Sequence, residues 1–135
     1  MNYLIDTHIL LWAIFQKEKI NKEVIDILEN PSNIIWVSQI SIFEIVIKIK
    51  LGKIPDFPLH VENLINIIKE MGFNIFPIKN EHFSEFQRFP FDENHRDPFD
   101  RLIIAATSFE KFTLISNDSK FIFYKDSINL IDNVT

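Results

Sequence analysis

The sequence predicts a three-layer α/β domain, with helices on both sides of a mainly parallel sheet. Short apolar runs of strand length alternate with amphipathic stretches of helical period along the whole chain. Its 135 residues, 47% of them hydrophobic, suffice for one sizeable core. No repeat, low-complexity tract or Pro/Gly/Ser-rich linker divides it, so residues 1–135 are expected to form a single domain.

Tyr3-Leu4-Ile5 reads as a short buried strand that stops at Asp6, and Thr7 to Gln16 as the helix that follows. Asn21 opens a second helix, with Val24, Ile25, Ile27 and Leu28 on one face. Ile34 to Val37 is the next strand. Ser41 to Leu51 is helical and closes at Gly52, with Lys50 and Lys53 near its negative end. His60 to Met71 is an amphipathic helix closed by Gly72. Phe73 to Ile78 returns as a strand and Asn80 to Arg88 as a short helix. Phe89 to Asp97, with Pro90 and several charges, is the longest polar connection. Pro98 opens a helix to about Lys111, Phe112 to Ser116 is a strand, and Ile128 to Ile131 is the last one.

Composition removes several functional classes. No run of about 18 apolar residues exists, so no membrane span is expected. The N-terminus lacks the charged and apolar regions of a signal peptide. Cysteine is absent, which excludes disulfides, thiolate zinc sites and Cys nucleophiles and is compatible with a cytoplasmic location. The two glycines, Gly52 and Gly72, stand too far apart for a phosphate-cradling loop. His8, His60, His82 and His95 show no zinc-binding spacing, and no G-x-S-x-G elbow supports a serine triad. A net charge of −5 argues against a polycation that coats nucleic acid. It leaves room for an enzyme acting on nucleic acid through bound cations.

In parallel α/β sheets, sites lie beyond the carboxyl ends of the strands. Asp6 follows the first strand, Asp118 comes two residues after Ser116, and Glu44 lies in the first turn of its predicted helix. Asp100 lies in the first turn of the helix before Phe112, with Asp97 one turn upstream. Clustered carboxylates repel one another unless a cation neutralises them. Oxygen-only ligands suit Mg²⁺ or Mn²⁺, which can activate water and stabilise phosphoryl displacement. The implied reaction is metal-dependent phosphodiester hydrolysis.

Each acid has a structural alternative. Ser41-x-x-Glu44 matches a helix capping box. Asp97-Pro98 has the form of an N-cap followed by a first helical proline, which favours capping for Asp97 and makes Asp100 the better ligand candidate. Asp118 in Ser-Asn-Asp also suits a turn. Asp6 is hardest to explain structurally, because an acid ending an apolar strand needs a partner or a helix N-terminus.

Four blocks extend the pattern: Leu4-Ile5-Asp6-Thr7-His8-Ile9-Leu10-Leu11-Trp12, Val37-Ser38 through Ser41-Ile42-Phe43-Glu44-Ile45, His95-Arg96-Asp97-Pro98-Phe99-Asp100-Arg101-Leu102-Ile103-Ile104-Ala105, and Ile115-Ser116-Asn117-Asp118. In order and spacing they resemble the signature blocks of PIN-domain proteins, and more closely the VapC-type toxins of type II toxin–antitoxin pairs. The resemblance implies a three-layer α/β/α PIN-like fold and a Mg²⁺- or Mn²⁺-dependent endoribonuclease held inactive by a cognate antitoxin. It also implies a homodimer. The family's ligand positions carry over to Asp6, Glu44, Asp100 and Asp118, with Asp97 in the subgroup motif; either Asp97 or Asp100 is the ligand in that block. Thr7, Ser41 and Asn117 would orient the acids.

Lys48 lies one turn beyond Glu44, and either meets an RNA phosphate or belongs to a solvated basic face with Lys50 and Lys53. Arg96 and Arg101 are candidate RNA contacts that can equally pair with Asp97 and Glu93, and pairing is favoured for Arg101. His8 is expected to pack within its helix. Phe83, Phe86, Phe89 and Phe91 are core residues or, where exposed, mark a partner groove. Two other classes remain. One is a non-enzymatic module whose acids accept basic groups of a partner. The other, a receiver-like phospho-acceptor, needs an acid pair after the first strand, where this chain has only Asp6.

Overall fold

The computed structural model describes residues 1–54 and 60–133. Among these, strands β1 Asn2–Ile5, β2 Ile34–Ser38, β3 Asn74–Phe76, β4 Thr113–Ser116 and β5 Asn129–Asp132 form one sheet in the order β3-β2-β1-β4-β5. Every pairing is parallel. Between the strands run α1 Thr7–Phe15, α2 Lys22–Glu29, α3 Gln39–Lys50, α4 Val61–Glu70, α5 Asn80–Arg88 and α6 Pro98–Glu110. No described helix is long and apolar enough to cross a membrane.

Neighbouring side chains of a strand point to opposite faces, so a parallel sheet covered on both sides needs continuous apolar strands. β1 meets that demand. Ile5 packs with Ile9, Leu10, Val24, Ile45, Leu64 and Ile68 under α1–α4. Leu4 packs on the other face with Ile103, Ile104, Leu114, Phe121 and Tyr124, under α6 and the segment after β4. These two cores are the expected α/β/α layers. Burying one such side chain contributes about 1.5–3 kcal/mol, so both layers depend on this one central strand.

Several boundaries differ from the sequence reading. α3 starts at Gln39 instead of Ser41, because Ser38 is its N-cap and accepts a hydrogen bond at Oγ from the Ile40 N–H. The expected strand Phe73 to Ile78 shortens to three paired residues beside β2. A 3-10 segment, Ser119–Tyr124, follows Asp118 where the sequence reading placed no element. Gly72 ends α4 with φ +82°, a conformation that a residue bearing Cβ resists.

The strand order places two of the acids. From β1 the chain moves outward through β2 to β3, then returns to the opposite side of β1 for β4 and β5. Connections therefore leave the carboxyl ends of β1 and β4 in opposite directions and open a crevice between them. Asp6 and Asp118 follow these two strands.

Candidate active site

Asp6 is both the N-cap of α1 and a buried charge. Its Oδ1 accepts from the Ile9 N–H at 2.9 Å, and its Oδ2 accepts from the Ser116 hydroxyl. The Asn117 backbone N–H adds a further donor. Burial nevertheless outweighs these hydrogen bonds and the charge of His8, and pushes the carboxyl above its usual 3.8. Ser116 links the two sides of the crevice, since its Oγ also accepts from the Asp118 N–H at 2.9 Å. Asp118 in turn caps the Ser119–Tyr124 segment by accepting from the Lys120 N–H. The turn role expected for this acid is present, and it leaves Asp118 on the rim.

Glu44 joins the same rim through Thr7, whose hydroxyl donates to Glu44 Oε1 at 2.6 Å. The capping alternative for Glu44 does not hold. Ser38 takes the cap position, and Ser41 lies inside α3, buried and with its hydroxyl unpartnered among the described residues. Lys48 Nζ stands 3.6 Å from Glu44 Oε2, so the ammonium faces the acid one turn before it.

Asp97 is the N-cap of α6, accepting at Oδ1 from the Phe99 and Asp100 N–H groups. Asp100 is therefore the inward acid of its block. Burial first, then the charge of Asp97, push its carboxyl up to about 6, with Asp118 adding to the rise and a His95 hydrogen bond opposing it. Asp118 and Asp100 thus lie near enough for their charges to interact.

Other side chains take defined places. Arg101 donates to the carbonyls of His95 and Asp92, and its guanidinium lies 4.9 Å from the Phe91 ring centroid. It fixes the loop before α6 and makes no pair with Asp97 or Glu93, contrary to the pairing expected. Arg96 is exposed and donates to the Glu93 carbonyl. His8, expected to pack, is exposed with its ring 6.1 Å from that of Trp12. Of the four phenylalanines, Phe83 is exposed, while Phe86 and Phe89 both turn onto Phe91. The sequence reading missed Ser116, His95 and Tyr124 as site residues. Ser116 and His95 stand inside the quoted blocks, whereas nothing local signals Tyr124.

No three Asp, Glu or His side chains among the described residues are grouped tightly enough to enclose a metal. The donor set nonetheless fits Mg²⁺ or Mn²⁺ in charge and chemistry. It is all oxygen, and two of its acids are held above their usual range, Asp6 by burial and Asp100 by burial and the charges of Asp97 and Asp118. Mg²⁺ commonly takes only one or two carboxylates and keeps several waters. A separate cleft of about 480 Å³ at the amino ends of β2 and β3, lined by Ile20, Ile25, Leu28, Ile35 and Phe73 among others, holds none of these acids. Its size does not make it the centre of this chemistry.

Strand order and acid placement define a class: a parallel α/β domain with an acidic pole at its topological switch point. The family model of the PIN domain matches residues 3–125, and the chain belongs to that family. No curated protein matches the chain by sequence. In fold it is similar to a chain of VapBC2 from Rickettsia felis, solved bound to a DNA fragment from its promoter, with a TM-score of 0.72 at 16% identity over 98% of both chains. VapBC-1 from nontypeable Haemophilus influenzae gives a TM-score of 0.63 at 18% identity over 98% of both chains. VapBC-5 from Mycobacterium tuberculosis gives 0.62 at 13% identity, over 97% of this chain and 98% of that one.

Proposed function

We propose that this protein is a metal-dependent endoribonuclease, the toxin of a toxin–antitoxin pair. The observation that carries the reading is the linked rim of acids across the β1/β4 crevice, where Ser116 joins Asp6 to Asp118 and Thr7 joins Asp6's neighbourhood to Glu44. PIN-family membership and the likeness to chains of VapBC structures support it.

Asp6, Glu44, Asp100 and Asp118 would hold Mg²⁺ or Mn²⁺. When bound, the cation lowers the pKa of water and neutralises charge on the scissile phosphate. Ser116 and the Asn117 N–H hold the Asp6 carboxylate in one orientation, and Thr7 does the same for Glu44. Asp97 serves by starting α6 in register, which sets the direction of Asp100. Lys48, 3.6 Å from Glu44, would contact an RNA phosphate beside the acids, and exposed Arg96 would be a second phosphate contact. A cognate antitoxin, a homodimer and a cytoplasmic location complete the reading.

The test is cleavage of a structured RNA pool by purified, partner-free protein with Mg²⁺, Mn²⁺ or EDTA, beside the Asp6→Asn variant. Cleavage that needs the cation and is lost in the variant is expected. Absence of cleavage, together with absence of Mn²⁺ binding by calorimetry, would replace this reading with the partner-binding module, whose acids would accept basic groups as Glu44 accepts Lys48.

A further inference from the structure

His95 stands five residues before Asp100 and is 1% exposed, with its ring 5.4 Å from Phe121 and 5.5 Å from Tyr124. Its two nitrogens face different partners. Nδ1 is 3.1 Å from the Tyr124 hydroxyl, and Nε2 is 3.3 Å from Asp100 Oδ2. The hydroxyl accepts from the Asp92 N–H at 3.1 Å, which leaves its own proton directed to His95.

These partners select one tautomer. With the proton on Nε2, every contact pairs a donor with an acceptor: hydroxyl to Nδ1, and Nε2–H to the carboxylate. With the proton on Nδ1, the Nε2 lone pair would face a carboxylate oxygen in a buried site, which costs the full desolvation of both acceptors. The backbone around the ring is also held, because Arg101 donates to the carbonyls of His95 and Asp92.

We infer that His95 is a positioning residue for Asp100. Tyr124 holds the ring through Nδ1, and the Nε2–H orients the Asp100 carboxylate towards the acidic crevice. The inference rests on the proposed role of Asp100 in holding a divalent cation, and it assigns to His95 and Tyr124 the orienting function that hydrogen-bonded neighbours give metal ligands.

Two measurements test it without RNA. Nitrogen-15 spectra of the metal-free protein should show a proton on His95 Nε2. A bare Nε2 would overturn the assignment. Calorimetric Mn²⁺ titration should then separate two variants of similar size. His95→Gln places an amide donor near the position of Nε2 and should keep affinity within a few-fold of wild type. His95→Asn reaches only the Tyr124 side and should bind about tenfold or more weakly. Tyr124→Phe, which keeps the ring and frees Nδ1, should weaken binding in the same direction. Equal affinities for the Gln and Asn variants, or an unchanged affinity in folded Tyr124→Phe, would overturn the inference. Wild-type protein that binds no Mn²⁺ would instead remove the metal reading on which it stands.

Discussion

Asp6 and Ser116, 110 residues apart in sequence, share a buried hydrogen bond between the ends of two adjacent parallel strands. The serine is a donor to one acid and an acceptor from the backbone of another, so it sets the separation of Asp6 and Asp118. Ser116→Ala removes both bonds and leaves a buried carboxylate with one donor fewer. Unfolding in urea should show a loss of about 1–3 kcal/mol at neutral pH. RNA cleavage should fall by about 10–100-fold. Full activity in a folded Ser116→Ala protein would contradict the orienting role.

Asp100 makes the metal-free protein sensitive to pH in a direction opposite to an ordinary salt-bridged acid. Burial and the neighbouring Asp97 and Asp118 hold its carboxyl at about 6 against the usual 3.8. A raised folded-state value means that folding disfavours the ionised form. Stability is therefore diminished above pH about 6, and the deficit is relieved as pH falls from there towards 3.8. Asp100→Asn should stabilise the metal-free protein at pH 7.5 on the order of 1–2 kcal/mol, with the difference shrinking by pH 5. Urea midpoints at both pH values, measured in EDTA, check this. The same variant should bind Mn²⁺ more weakly than wild type, so removal of metal should reverse the order of stability of the two proteins.

Glu110 supplies the opposite case, away from the acidic rim. Burial pushes its carboxyl up, but hydrogen bonds from His82 and Lys79 and their charges outweigh it and hold the group below its usual 4.5. His82 is fully buried between α5 and α6, with Nε2 2.9 Å from Glu110 Oε2 and Nδ1 accepting from the Lys79 N–H. A depressed carboxylate contributes stability above its unfolded value and loses it as pH falls through the folded one. Glu110→Gln should cost about 1 kcal/mol at pH 7, and the cost should shrink as pH falls below the usual carboxylate value. Its RNA cleavage should equal that of wild type, which makes it a control for stability effects on activity.

Much of the architecture is written locally. Each strand is a short apolar run, and several helices carry their own start signal, as with Asn21 accepting from the Val24 N–H and Asp97 ahead of Pro98. The cap role of Asp97 is legible in the sequence for that reason, because capping joins residues two and three apart, while the choice of ligand between Asp97 and Asp100 is not. The role of Glu44 was not legible either. A serine three residues before a glutamate fits a capping box whether or not the box forms, and the choice of Ser38 over Ser41 followed from where β2 stopped. His95 and Tyr124 carried no joint signal at all, since they stand 29 positions apart with two elements between them.

The sequence by itself determined the alternation of strands and helices, the family blocks and the identity of the acids, because those depend on period, caps and residue chemistry within a few positions. Only the tertiary structure decided which acids meet. Strand order put β4 beside β1 and so brought Ser116 to Asp6, while the packing of α3 against α1 brought Glu44 to Thr7. Burial at that junction then raised the Asp6 carboxyl above its usual value. Desolvation and repulsion depend on distance through space, which no spacing along the chain encodes.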